Sequence, residues 1–303
     1  GEGQIWYNST SNTFKTSTPG PAAWASGNAL PYTTANNAAA GTQTSALGFG
    51  GYNTLDTSAS YDGTNWTATP VLNTARGSLM GFGASNTSAI ATGGDNPGPS
   101  PKGETEEFNG SSWSEVADLN TPRGLAGACG IVTAGLVFSG GPEPSPPVNV
   151  ESWNGSAWTE GVNVNTATHN TTGCGTQTAA LKLGGVNTSG NSITSTEDWN
   201  GTSWTAATAL PVERGFAAAA GTQTNALLFA GGIPPTPTRT NTTISYDGST
   251  WSTQPNMGTA ANYLAGTGTA GLALAVAGYG PPSGSTRTEE FTNVETVKTI
   301  TTS

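Results

Sequence analysis

Apolar and polar positions fall in short runs along this chain, and the runs recur. Residues 68–113 hold one complete unit: a small apolar strand over 77–83, a second ending at Gly93-Gly94, a third ending at Glu106-Glu107-Phe108, a tight Asn109-Gly110 turn, and a fourth beginning at Trp113. The unit repeats in register. Tryptophans stand at Trp24, Trp66, Trp113, Trp158, Trp204 and Trp251, and six residues after each comes Leu30, Leu72, Leu119, Val164, Leu210 or Met257. Eleven residues further on there is always a glycine: Gly41, Gly83, Gly130, Gly175, Gly221, Gly268. Small pairs close the second strand at Gly50-Gly51, Gly93-Gly94, Gly140-Gly141, Gly184-Gly185, Gly231-Gly232 and Ala277-Gly278. Tyr61, Phe108, Trp153, Trp199, Tyr246 and Phe291 end the third strands. Four short strands in a period of 42 to 47 residues predict the blade of a β-propeller.

The phase of the repeat predicts how the ring closes. The strand at Trp24 has no first three strands before it, and the third strand at Phe291 has no Trp strand after it. The two incomplete ends complement each other. The expectation is an all-β, six-bladed propeller in which the Trp24 strand is the outer strand of a blade whose inner three come from residues 262–291. Such closure hides ladder edges and ties the chain ends together. The domain plan is an N-terminal hairpin or linker over 1–18, the ring over 19–293, and a C-terminal tail over 294–303.

Composition sharpens this reading. Only 9% of the 303 residues are charged and 34% are hydrophobic, a balance that raises the question of disorder. A disordered chain has no reason to hold Trp, apolar and Gly positions in register, whereas packed sheets need small residues where backbones approach closely. The net charge of −10 disfavours a general affinity for nucleic acid or anionic membrane. No run of 18 apolar residues and no signal-peptide pattern occurs, so membrane insertion is not expected. The start at Gly1 reads as that of a fragment or processed product.

Turn chemistry divides the ring into two faces. Asp62-Gly63, Asn109-Gly110, Asn154-Gly155, Asn200-Gly201 and Asp247-Gly248 join third to fourth strands, supplying the positive φ that tight hairpins need. Three of the first-to-second turns read Gly-Thr-Gln-Thr, at Gly41, Gly175 and Gly221. These two turn classes share a flat, repetitive face. The second-to-third loops at 95–103, 142–149, 233–241 and 279–285 are longer, Pro-rich and dissimilar, and variation among regular repeats marks a binding face.

Cys129 and Cys174 occupy equivalent positions before the repeat glycine. Small buried thiols are expected in preference to a disulfide, because equivalent points on adjacent inner strands lie too far apart. The Asn-X-Ser/Thr triplets at Asn8, Asn109, Asn154 and Asn200 follow from turn chemistry and are read as incidental.

Gly3-Gln4-Ile5-Trp6-Tyr7-Asn8 with Phe14-Lys15 forms a hairpin that resembles a segment of bacteriophage tail-fibre and appendage proteins. The glycine pair, the later aromatic and the following Trp resemble the kelch repeat from about Trp24 to Phe291. Kelch domains are propellers used for protein binding, for carbohydrate-linked functions and, in the galactose oxidase group, for copper chemistry. That resemblance implies the fold and leaves the function open.

Arg76, Arg123 and Arg214 share one repeat position, seven residues before the glycine, where Thr34, Thr168 and Ala261 fill the other blades; His169 stands one residue along. In kelch proteins such arginines line the mouth of the central pocket, which implies a rim seeking a carboxylate or sugar hydroxyls. The competing and favoured reading is structural pairing with Glu106, Glu151 or Glu197, which precede the third-strand aromatic by two. One histidine is too few for copper oxidase chemistry. The Ser60-Tyr61-Asp62-Gly63-Thr64-Asn65-Trp66 stretch approaches an Asp box but is one residue short. Recurring Glu and Asp read as strand positions in preference to a glycosidase pair. No catalytic, metal or cofactor site is expected. The reading is a non-enzymatic virion surface protein, a bacteriophage tail fibre or capsid decoration, that recognises a host-surface glycan or protein through the loop face. Other virion proteins are expected at the flat face or the hairpin. A secreted bacterial adhesin or matrix protein and a carbohydrate-active propeller enzyme are the alternatives.

Overall fold

The computed structural model describes residues 5–11, 13–52, 55–95, 101–141, 147–233, 238–280, 283–293 and 295–299. Six four-stranded antiparallel sheets make the ring. Blade 1 consists of Ala38–Thr42, Ser45–Phe49, Ser58–Tyr61 and Trp66–Ala68. Blade 2 consists of Met80–Ser85, Ser88–Thr92, Thr105–Phe108 and Trp113–Val116. Blade 3 has Gly127–Ile131, Ala134–Phe138, Val150–Trp153 and Trp158–Glu160; blade 4 has Thr172–Thr176, Ala179–Leu183, Thr196–Trp199 and Trp204–Ala206. Blade 5 has Ala218–Thr222, Asn225–Phe229, Thr243–Tyr246 and Trp251–Gln254. Blade 6 takes Ala265–Gly268, Leu272–Val276 and Thr288–Thr292 from the C-terminal part and Ala23–Ser26 from the N-terminal part. In that last blade Trp24 pairs with Phe291, the closure that the repeat phase predicts.

Each outer-strand Trp stands directly opposite the aromatic that ends the third strand, with centroids 4.8 to 5.3 Å apart in all six blades. The same indoles also seal the gap to the preceding blade. Trp24 packs on Phe229, Trp113 on Phe49 and Trp204 on Phe138, while Trp24, Trp66 and Trp158 donate Nε1–H to Thr243, Thr288 and Thr105 there. One residue type at one repeat position thus joins strands within a blade and blades within the ring.

The glycine pair needs a correction of phase in two blades. Its two residues adopt positive φ, about +52 to +64° at the first and +91 to +134° at the second, and in blades 3 and 5 they are Ser139-Gly140 and Ala230-Gly231, one residue earlier than the Gly-Gly dipeptides suggest. The first position is left-handed helical and accepts Ser or Ala; the second requires glycine. In blade 2 a Cβ on Gly94 would come 2.5 Å from the Gly77 carbonyl oxygen.

The described parts of the N-terminal hairpin and the C-terminal tail belong to one sheet. Ile5–Asn8 pairs with Thr13–Pro19, which pairs with Glu295–Thr299, so the tail is the third strand of a small sheet beside the ring. Tyr7 and Phe14 are more than half exposed there, with rings 5.3 Å apart. Residues 1–4 lie outside the described residues. No helix long and apolar enough to cross a membrane occurs among the described residues.

Candidate ligand-binding face

The flat face is occupied with holding the ring together. In the Gly-Thr-Gln-Thr turns each glutamine reaches back to the preceding blade: Gln43 Nε2 donates to the Ala273 and Phe291 carbonyls, Gln177 to those of Gly135 and Trp153, Gln223 to those of Ala180 and Trp199. The Asp62 and Asn109 side chains each accept two backbone N–H groups of their own turn. Backbone donors hold the Asp62 carboxyl below the usual carboxylate range. Cys129 and Cys174 are free and buried, as the repeat position predicts. Each thiol faces a carbonyl of the next blade, Thr176 and Thr222.

The arginines do not form a rim. Arg76 and Arg123 have no side-chain exposure and pair with Glu106 and Glu151 at 2.8 and 2.9 Å. Burial pulls their pKa values down and the glutamates oppose it. Each glutamate also accepts backbone N–H groups from the connection crossing above it: Glu106 from Asn73 and Thr74, Glu151 from Asn120 and Thr121, Glu197 from Asn165 and Thr166, Glu289 from Gly258. Where the arginine is missing, Lys182 serves Glu197 at 3.4 Å and Arg287 stands 3.9 Å from Glu289. Where the glutamate is missing, its donor is missing too. Ala59 and Ile244 hold that position in blades 1 and 5, and the connections above them carry Pro31 and Pro211 at the place of Asn73, and proline has no N–H to offer. Arg214, over the blade with Ile244, is 6% exposed, donates to the Ala230 carbonyl, and has no acidic partner among the described residues. Burial lowers its pKa as well. His169 is buried, with its backbone paired to Val186 and its Nδ1 2.7 Å from Asn170 Nδ2.

The opposite mouth of the channel is built from different residues. Asn36, Ser78, Leu125, Asn170, Phe216 and Tyr263, one per blade and five residues before the repeat glycine, all have φ between +50 and +59°. That conformation costs a non-glycine residue about 1 kcal/mol or more, and here it turns the peptide groups along the circumference. Asn36 N–H donates to Tyr263 O, Ser78 to Asn36, Leu125 to Ser78, Phe216 to Asn170 and Tyr263 to Phe216, at 2.8 to 3.0 Å. The result is a hydrogen-bonded collar whose side chains line the mouth.

Aromatic rings gather on one side of that collar. Phe216 lies 4.6 Å from Tyr263, Tyr263 5.5 Å from Tyr279, and Tyr279 5.5 Å from Tyr52, centroid to centroid. The arc spans blades 5, 6 and 1. Tyr52 is 51% exposed. Burial, with the Tyr52 hydroxyl beside it, pushes the Tyr279 phenol up to about 12. Arg239 Nε donates to Asn262 Oδ1 near Tyr279. Behind Asn36, Asn37 lines the same mouth at 6% exposure, and neither its Oδ1 nor its Nδ2 has a hydrogen-bond partner among the described residues. Repeat position alone does not single these residues out, because the recurring arginine is the more conspicuous pattern. The signal in the sequence lies instead at positions where the blades disagree. Among the described residues no group of three or more His, Cys, Asp or Glu side chains is placed to hold a metal ion.

The fold defines the chain as a six-bladed β-propeller. Its likeness to solved structures agrees: the structure of YjhT superposes with a TM-score of 0.73 at 12% identity, covering 90% of this chain and 99% of that one. No family model matches the chain, and no curated protein matches it in sequence.

Proposed function

We propose that this chain is a non-enzymatic recognition module of the kelch type, carried on a virion surface as a bacteriophage tail-fibre or capsid-decoration protein, and that its loop face binds a host-surface glycan or protein. The observation that carries the reading is the contrast between the two ends of the channel. One end repeats a glutamine clamp; the other carries a rigid collar with unlike side chains and an aromatic arc on one side. Rigid backbone bearing variable side chains suits recognition. The non-enzymatic part is supported by the four recurring glutamates, which are buried against backbone donors and cations and so are not available as an acid/base pair. The hairpin resemblance and the charge-poor composition support the virion assignment. The exposed Tyr7 and Phe14 and the flat face are the surfaces left for docking on other virion proteins.

The test is adsorption of the labelled chain to a panel of bacterial strains. Binding to a subset of strains, lost in Tyr52→Ala/Tyr279→Ala and retained in Thr44→Ala on the flat face, is the expected result. Strain binding that both variants keep unchanged would reject the loop face as the recognition surface.

A further inference from the structure

We propose that the mouth between blades 5, 6 and 1 is a saccharide site, in which a pyranose ring lies against the Phe216–Tyr263–Tyr279–Tyr52 arc and one of its hydroxyls is bonded by Asn37. This rests on the loop face being the recognition surface and names the ligand class.

Three observations converge on it. Asn37 carries two donors and an acceptor, is only 6% exposed, and its amide meets no hydrogen-bond partner among the described residues; leaving such a group unsatisfied is costly. Packing does not demand an amide there, because the same position holds Leu79, Ala126, Ala217 and Leu264 in four other blades and Thr171 in the fifth, whose hydroxyl is satisfied by the Leu183 and Gly184 carbonyls. The second observation is the arc itself, a continuous run of rings leading from the half-exposed Tyr52 down to the collar beside Asn37. Sugar rings present aliphatic C–H faces to aromatic π-faces and hydroxyls to planar amides, so rings above and an amide below match the two chemistries of one ligand. The third concerns a peptide rival. Extended peptides bind by adding a strand to a free edge, and ten of the collar's twelve backbone N–H and C=O groups are already spent on five inter-blade bonds.

The full chain is applied to a bacterial glycan array, and any array hit, together with soluble glucose, galactose, mannose and N-acetylglucosamine, is titrated by saturation-transfer NMR. The expected result is at least one saccharide bound, weakened tenfold or more by Asn37→Leu and by Tyr263→Ala, both variants keeping the unfolding midpoint of the parent within a few degrees. Asn37→Leu installs the residue that blades 2 and 6 already carry, so it folds. Equal saccharide binding by parent and variants would place the site elsewhere and overturn the inference. No saccharide bound, with strain adsorption still lost in Tyr263→Ala, would leave the recognition face standing and assign it to a protein partner. Strain adsorption unchanged in Tyr263→Ala and in Tyr52→Ala/Tyr279→Ala would sink both readings.

Discussion

At the scale of single residues, the buried charges show how an apolar ring tolerates ions. Taking an arginine or glutamate out of water is expensive, and hydrogen-bonded partners offset the cost; the glutamates are the better satisfied side of these pairs, since Arg76 Nε and Arg123 Nε and Nη1 meet no partner among the described residues. Glu151 illustrates the arrangement. Its two oxygens accept the Asn120 and Thr121 backbone N–H groups, the Asn120 amide and the Arg123 guanidinium. Glu151→Ala strands a buried cation together with those N–H groups. We expect a loss of about 3–5 kcal/mol in urea unfolding, and a loss under about 1 kcal/mol would mean that the pair is better solvated than its burial indicates.

At the scale of the element, the connection and the third strand beneath it behave as one unit. Asn-Thr over Glu and Pro over Ala or Ile are two solutions of the same packing problem, the first closing it with hydrogen bonds and the second by removing a donor. Mixing the two should fail. Ala59→Glu in blade 1 puts a carboxylate beneath Pro31 with no arginine to meet it, since Thr34 stands at the arginine position, and with one of the two backbone donors that Glu106 uses removed. The expected cost is about 3 kcal/mol or more, read as a fall in the denaturant midpoint. A midpoint equal to that of the parent would contradict the account. The mouth obeys the same logic in reverse, because Asn37 is an amide with no complementary partner among the described residues.

At the scale of the whole molecule, stability sits at the interfaces between blades, and these bury groups that lose protons at high pH. Burial pushes the Cys174 thiol up from 9.0 to about 12 and raises Cys129 further in the same direction, with Cys174 as a lesser cause. Burial also raises the phenols of Tyr32 and Tyr61. In the unfolded chain the thiols ionise near 9, while in the ring they keep their protons. Their contribution is therefore complete below pH 9 and is lost as pH rises toward 12, at about 1.4 kcal/mol per unit for each thiol. Denaturant midpoints measured from pH 7 to 11 should stay level to about 9 and then fall. Cys129→Ala/Cys174→Ala should delay the fall toward the range where phenols ionise, and a parent midpoint level to pH 11 would refute the expectation.

The amino-acid sequence alone determined the ring: six blades, the Trp24 strand closing on Phe291, the tight Asn-Gly and Asp-Gly turns, and free thiols at equivalent points. Those features were legible because they are local and periodic; an aromatic opposite an aromatic or a glycine at positive φ leaves the same mark in every repeat. The tertiary structure alone decided what depends on distance across the ring. It settled that Arg76 and Arg123 turn inward onto glutamates about thirty residues away in sequence, and that the glycine pair shifts by one in blades 3 and 5. It joined the tail to the hairpin, and it brought Phe216, Tyr263, Tyr279 and Tyr52 into one arc beside Asn37. Spacing relates Phe216 to Tyr263 and Tyr52 to Tyr279, but it does not say that the two pairs meet each other beside Asn37; they come from three blades and come together only where the curvature of the collar turns their side chains toward one mouth.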